Sequence, residues 1–466
     1  MRVISLCAVL FCCLPLSGVA DGIDSSRITD EILPFQTDIP ERPSPILELG
    51  DTYFGRGPIW SGVTLPTGMT VQPSLLLWGT YRTAVQTIDD AGKEVSEWAN
   101  RFDLFGNLYL SRTERVLVGM RPLDKNGQFT RYTFDASGDD GREEGHFEDA
   151  FNANVTTLFF EGDLGEMLPA LDEKDQYGLD VAIAVGRQPL SFQDGMLIND
   201  SVDSLGFSKI NLKPAWAVNW RSAAIWGWDE LNRNNLMQED GNSSLFGSFN
   251  EIDFRDTTLE TDFVYVHSDE VTGSGYFGGL GATQRFGIVN STFRILGSIA
   301  DGAETESTRD GVLFFSELSY APKGTDDHLY LNGFWALDQY RSASRAPAVG
   351  GPLGPTGILF AAVALGRYGA ALDNNADDAF GGALGYQLFA NESRTQLVFE
   401  LGGRYGTEEI GQRAMAAGVQ VQQALGRRVV VRCDLFGKFG DERFEIDDST
   451  GNDYGYGARL EWVLLL

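Results

Sequence analysis

The charged residues of this chain fall in a pattern that suits a lining better than a reaction. Arg101 and Asp103, Glu260 and Asp262, Arg432 and Asp434, and Arg459 and Glu461 stand two positions apart, Glu400 and Arg404 stand four apart, and Arg221 lies within a tryptophan-rich stretch. Successive side chains of an extended chain point to opposite faces, so residues two or four apart share one. Arginines and carboxylates facing one another would set up a transverse field that screens solutes by charge and size. Catalysis has little to work with. His146, His267 and His328 are the 3 histidines of the chain, and none has a nucleophilic partner in a recognisable motif. GxSxG, HExxH and Walker A patterns are absent. Gly273 to Gly278 spells a dinucleotide fingerprint, but it opens onto the alternating stretch Tyr276 to Arg285 rather than a helix, and reads as barrel glycines. No enzyme activity, cofactor or metal site is expected, and the acidic clusters at Asp139-Asp140, Glu143-Glu144, Asp373 to Asp378 and Asp447-Asp448 match no EF-hand loop.

The elements that must position these charges are strands. From Asp453 to Leu466, Tyr454, Tyr456, Ala458, Leu460, Trp462, Leu464 and Leu466 share one face, and Gly455, Gly457, Arg459, Glu461, Val463 and Leu465 the other. This is a period of two, and the stretch ends the chain without a polar tail. Closed barrels in lipid end in such a strand, usually on an aromatic that their assembly machinery reads; Leu466 replaces that aromatic. Similar alternation appears at Leu75 to Thr83, Trp98 to Ser111, Arg115 to Met120, Gln128 to Asp135, Asn154 to Gly162, Tyr177 to Gly186, Met196 to Leu212 and Lys213 to Trp228. It returns at Thr257 to His267, Tyr276 to Arg285, Val289 to Ile299, Val312 to Tyr320, Leu329 to Leu337, Gly357 to Gly366, Phe380 to Leu388, Thr395 to Tyr405, Arg413 to Val421 and Val429 to Phe439. The expected fold is all-β, a transmembrane antiparallel barrel of about eighteen strands, with sixteen to twenty as the range. No stretch beyond the N-terminus approaches ~20 consecutive apolar residues, which excludes helical spans.

Aromatics sharpen the expectation. Trp216, Trp226 and Trp228 share a parity with Val218, Trp220, Ser222 and Ala224. Trp216 to Trp226, read as one strand, spans ~33 Å; tilted, that is roughly 25 Å, the height between two aromatic girdles. Tyr454 and Trp462 occupy matching places on the closing strand. Charged residues on the lipid face at mid-depth cost roughly 2 to 4 kcal/mol, so Arg101, Asp103, Arg221, Glu260, Asp262, Glu400, Arg404, Arg432, Asp434, Arg459 and Glu461 are expected to line the pore.

Composition agrees: 55 glycines and 12% aromatics suit turn-rich β-structure, and the net charge of -30 leaves no basic patch for nucleic acid. Residues 1–20 read as a secretory signal with the small-residue site Gly18-Val19-Ala20. Three of four cysteines fall within it, leaving Cys433 alone and no internal disulfide, with a parity that points it at lipid. Residues 21–69 lack a period and read as an irregular periplasmic or lumen-entering segment, with the barrel over 70–466. Its partners are then outer-membrane lipid, the barrel-assembly machinery and a small solute or polysaccharide, and its place the bacterial outer membrane.

Two stretches add a resemblance. Gly186-Arg187-Gln188-Pro189 leading to Asp194-Gly195 resembles the strand-to-turn signature of alginate-export-type outer-membrane porins, and Gly57-Pro58-Ile59, Leu65 to Gly68 and Gln72 to Leu75 resemble the N-terminal region of barrels grouped with them. The resemblance implies an eighteen-stranded monomeric barrel that conducts an anionic polysaccharide through an arginine-rich constriction. It also implies Arg187 and Asp194 as a structural or constriction pair. Read from the residues, Pro189 ends the strand and leaves Arg187 at the rim. The expected function is passive diffusion through a charged lumen, of a carbohydrate by that resemblance. The alternative is a barrel plugged by inward loops, for example Gly138 to Ala150, Glu230 to Asp256 or Tyr340 to Pro355, that binds ligands or stabilises the envelope. An open constriction formed by Arg221, Arg432 and Arg459 would favour the channel.

Overall fold

The structure, a computed structural model, describes residues 44–50, 62–90, 93–125, 127–136, 145–171, 178–233, 242–269, 271–407, 413–441 and 454–466, together with Ile59. The expected leader lies outside the described residues. So do the clusters at Asp139, Glu143 and Asp447, and most of the loop sampled by Gly138 to Ala150.

Among the described residues, 18 strands hydrogen-bond in chain order into one closed antiparallel barrel. They are β1 (Ser74–Asp90), β2 (Lys93–Tyr109), β3 (Arg115–Met120), β4 (Val155–Asp163), β5 (Ala182–Phe192), β6 (Ile198–Leu212), β7 (Asn219–Asp229), β8 (Ser244–Asp253) and β9 (Thr257–His267). The second half of the wall is β10 (Gly275–Phe286), β11 (Val289–Ala300), β12 (Gly311–Tyr320), β13 (His328–Tyr340), β14 (Ala379–Ala390), β15 (Thr395–Gly406), β16 (Arg413–Leu425), β17 (Val429–Asp441) and β18 (Tyr454–Leu465). The ring closes where β18 pairs with β1, from Tyr456 opposite Asp89 to Leu465 opposite Thr80. Closure removes the unpaired edge that an open sheet would present. Below that seam β1 extends past the chain end, and Leu47–Leu49 pairs with Leu75 to Leu77 to cover it.

Alternation along each strand separates two faces. In β18 the parity of Gly455, Gly457, Glu461 and Val463 is buried, whereas Tyr454, Tyr456, Leu460 and Trp462 are exposed. The exposed set belongs to the outward band, which also carries Trp226, Phe263, Leu401 and Leu435. The opposite face points into the barrel, where it meets protein. A cluster of buried apolar residues runs across the inner faces of strands from β5 to β16 and into two segments folded inside.

Several boundaries differ from the sequence reading. Gly357 to Gly366 is not a strand; it belongs to residues 341–378, which leave the end of β13 and run inside the barrel before entering β14. Its run Ile358-Leu359-Phe360-Ala361-Ala362-Val363 is continuously apolar because it is enclosed by the lumen, and such a run does not distinguish a strand from any other buried segment. Trp216 precedes β7: Ala217 N–H donates to the carbonyl of Pro214 in a turn, so the 33 Å span from Trp216 to Trp226 is not one strand. β5 continues through Pro189, which stands opposite Ser201, to Phe192. Residues 193–197 form an inward turn rather than the start of β6. Within 21–69, the described part is not wholly irregular, since it holds Leu47–Leu49 and the strand Val63–Thr64, which pairs with Thr70–Val71.

Candidate functional site

The lumen is shaped by two inward segments. The larger, residues 341–378, is called the strap here. Leu353, Leu359, Phe360, Leu365 and Leu372 bury themselves completely or nearly so, and inner-face charges hold its backbone. The Glu400 carboxylate accepts from the N–H groups of Ile358 at 2.9 Å and Leu359 at 2.8 Å and from the Tyr330 hydroxyl. Arg404 donates to the carbonyls of Asp373 at 3.1 Å and Asn375 and pairs with the Asp373 carboxylate at 3.0 Å. Further round the wall, three consecutive strap carbonyls are bound by β1 and β2: Val363 by Arg82 at 3.2 Å, Ala364 by Arg101 at 3.1 Å and Leu365 by Gln86 at 2.9 Å. Gly366 makes the close approach possible. Its φ is +63°, and a Cβ there would stand 2.1 Å from a Glu97 carboxylate oxygen. Between short ladders at its two ends, Ser344–Arg345 with Ile198–Asn199 and Ala376–Asp377 with Gln339–Tyr340, the strap can lie inside a barrel because backbone groups such as these find side-chain partners.

The smaller segment is the turn after β5. Gln193 and Asp194 both take positive φ, 53° and 51°. Such conformations are uncommon for residues with side chains. Here the turn carries Gln193 to Asp262, at 2.7 Å, and brings Asp194 to Arg294. Arg294 also donates to Glu260 at 2.6 Å. Arg345 of the strap fastens the two segments, donating to the carbonyls of Gly195, Gly350 and, at 2.7 Å, Gly351. Burial lowers its pKa to about 10. At neutral pH it remains charged, and its carbonyl partners meet its donors.

The inner surface divides by sign. Along β7 to β12, Glu251, Asp253, Glu260, Asp262 and Glu317 join Asp194 around the guanidiniums of Arg221 and Arg294, with Arg285 on the same inner parity at the far end of β10. Arg221 pairs with Asp253 at 3.0 Å and with Glu251. On the opposite side, from β17 through β18 to β1, Arg82, Arg432 and Arg459 outnumber Asp434 and Glu461. Arg459 donates to Asp434 at 2.6 Å and forms an ion pair with Glu461 at 2.9 Å, and Arg82 pairs with Glu461. Asp103 accepts from Arg101 and from Arg121, each at 2.7 Å.

The residues expected on the inner parity therefore have different employments. Glu400, Arg404 and Arg101 hold the strap, Asp262 holds the turn directly and Glu260 through Arg294, and Asp434, Arg459 and Glu461 form a network. Arg221 stands on the acidic wall, away from Arg432 and Arg459, so those three do not form one constriction. Arg187 and Asp194 are not a pair either. Arg187 has the outward parity of Val185 and Leu158, close to the end of β5 that carries the turn, and binds Asp203 at 2.9 Å and Glu230. Gly186, at φ +121°, is pressed against the Leu158 carbonyl, and Gln188 bonds Ser204 at 2.7 Å. Gly195 supplies its carbonyl to Arg345. Of the aromatic residues, Trp216, Trp226, Trp228, Tyr454 and Trp462 are all exposed. Sequence reasoning passed over Arg82, Arg294, Arg345 and Tyr368. Arg294 had a legible signal, since a lone arginine in an apolar strand has only the inside to face.

No family model matches the chain, and no curated protein matches it. Solved structures do. Pseudomonas aeruginosa OpdK, crystallised with vanillate, has a TM-score of 0.54 at 13% identity, covering 84% of this chain and 98% of that one. Acinetobacter baumannii OccAB2 gives 0.54 at 10% identity over 84% and 98%, and Pseudomonas aeruginosa OccK2 gives 0.54 at 11% over 84% and 97%. The shared feature is the fold of outer-membrane porins, and none of these neighbours is an alginate exporter by name.

Proposed function

We propose that the chain is a porin-like channel of a bacterial outer membrane, passing small hydrophilic solutes by diffusion without a chemical step or cofactor. The observation that carries this is the lumen itself: an inward strap narrows it, and walls of opposite charge flank what remains. Such a passage sorts solutes by size and charge without needing a binding energy that would trap them. A carbohydrate remains a suitable cargo, and the resemblance to alginate exporters favours an acidic one. A polysaccharide of that kind would need the strap drawn aside, so a monomeric or short sugar fits better. The outward apolar band is taken to contact lipid, and the closing strand to be what the assembly machinery reads. Liposome swelling with neutral sugars of rising size tests the reading. Entry of monosaccharides with a sharp cut-off at larger sugars is expected; no swelling by a protein shown to be folded overturns it.

A second reading has its own observation. The apolar cluster joining strap, turn and inner wall resembles a small-protein core, and such packing would suit a plugged barrel that binds ligands at its surface. In that case swelling is absent for every sugar.

A further inference from the structure

At the seam, one lane of the wall is filled by two separate stretches of the chain. β18 faces β1 over ten residue pairs, from Tyr456 opposite Asp89 to Leu465 opposite Thr80. Gly79 and Leu466 then exchange backbone hydrogen bonds, at 3.1 Å and 2.9 Å. β1 continues below this point through Trp78, Leu77, Leu76 and Leu75. There Leu47, Glu48 and Leu49 stand opposite Leu77, Leu76 and Leu75, antiparallel to β1 and so in the lane and direction of β18. Leu47 and Leu49 take the outward parity, and extend the exposed stripe of Leu460 and Trp462.

Two features set this pairing apart from the rest of the wall. The first is the edge itself. Strand edges that stay alone are guarded by a charge, a proline or a bulge, whereas β1 reads Ser-Leu-Leu-Leu-Trp-Gly from Ser74 to Gly79 and pairs with β2 in unbroken register on its other side. Left bare, it is a template for another strand. The second is how lightly its occupant is held. The ladder has three residue pairs, and the outward side chains stay open, Leu47 at 37% and Leu49 at 44% exposure. Beyond the ladder, Arg428 donates to the Ser44 carbonyl at 3.0 Å in an exposed position. Three pairs must offset the ordering of a segment that reaches β1 only through residues 50–73 and not by a hairpin turn, so loop closure is added to the cost. Such a segment can leave while the ten pairs above it stay formed.

We infer that the β1 edge from Ser74 to Gly79 is a strand-addition site occupied in cis by residues 44–49, a clasp that opens and closes without opening the barrel. Its ligand class is an extended peptide with aliphatic residues at alternate positions, held by main-chain hydrogen bonds and placed by the parity of Leu75 and Leu77. The resident clasp meets that description and keeps other strands off the edge. None of this needs conduction, so the inference stands apart from the channel reading and is measured separately.

The test is hydrogen exchange of the refolded full chain in detergent. In the wild type, amides of 47–49 and those of 75–77 that face them should exchange together, about tenfold or more faster than the amides of 80–84 that β18 covers. The double variant Leu47→Pro, Glu48→Pro removes a ladder donor whichever of the two points at β1, since successive residues of a strand alternate and proline has no N–H. In it the same amides of 75–77 should lose their remaining protection while 80–84 keep theirs. A synthetic peptide with the sequence of residues 44–50 should restore that protection saturably in the double variant, and the same peptide carrying both prolines should not. The inference is overturned if 75–77 exchange as slowly as 80–84 in the wild type, a result that serves even if the variant does not fold. It is overturned equally by unchanged protection in the folded variant, or by a peptide that restores none.

Discussion

Replacing Glu400 by Ala removes the carboxylate that holds the strap at its turn. Two backbone N–H groups, those of Ile358 and Leu359, then lose their acceptor inside the barrel, together with the Tyr330 hydroxyl. A buried donor left unmet costs about 1–3 kcal/mol, so the two amides alone favour the undocked turn by about 2–6 kcal/mol. Against this stand the apolar side chains that bury themselves with the strap. Leu353, Leu359, Phe360, Leu365 and Leu372 are each worth about 1.5–3 kcal/mol, or about 8–15 kcal/mol together. Burial wins, so Glu400→Ala should not eject the strap. It should loosen the turn while leaving the docked state dominant. Hydrogen exchange of the refolded protein reads this directly: amides of 357–361 should exchange faster by about 30-fold or more, the factor that 2 kcal/mol sets. Amides of β15 on either side should change little. Glu400→Gln, which keeps one acceptor oxygen, should fall between. Unchanged exchange at 357–361 would refute the assignment of Glu400 as the anchor.

Other outcomes follow from the same geometry. Gly366→Val places a branched side chain at φ +63° and against Glu97, and should displace the strap tip; the check is a loss of protection at 363–367 with the barrel still heat-modifiable on a gel. Arg345→Met strands the carbonyls of Gly195, Gly350 and Gly351 and should lower stability by about 2–4 kcal/mol in urea unfolding. Arg345→Lys should recover little of this, because an ammonium lacks the fork. Glu260→Gln removes charge from the acidic wall and one partner of Arg294, and should shift ion selectivity towards anions, whereas Arg432→Glu should shift it towards cations; reversal potentials give both signs.

The wall was legible and its contents were not, for a physical reason. A strand in a barrel wall must alternate, because its outer face and its inner face meet different surroundings, and β11 or β18 can be read from that constraint alone. The inner parity of Arg101, Glu260, Glu400 and Arg459 follows from the same rule. What those residues do depends on what lies opposite them, and that is set by segments with no period. Ile358 to Val363 is apolar throughout because it is surrounded, so its pattern resembled one more strand. The turn at Gln193 and Asp194 depends on a pair of left-handed residues with no glycine before Gly195 to announce them. Arg187 shows the limit of borrowed motifs: its parity, outward like Val185, was visible, but Asp203 and Glu230 as its partners depended on the register of β5 with β6. Pro189 misled in the opposite direction, since the strand runs through it.

Planar-bilayer recording of the refolded protein, with reversal potential in a salt gradient, bears most directly on the account of a strap-narrowed, charge-divided lumen. Small discrete conductance steps are predicted, with brief larger openings added by Glu400→Ala and a selectivity that moves in opposite directions in Glu260→Gln and Arg432→Glu. A folded barrel that stays silent, or one whose conductance is indifferent to all three substitutions, would contradict it.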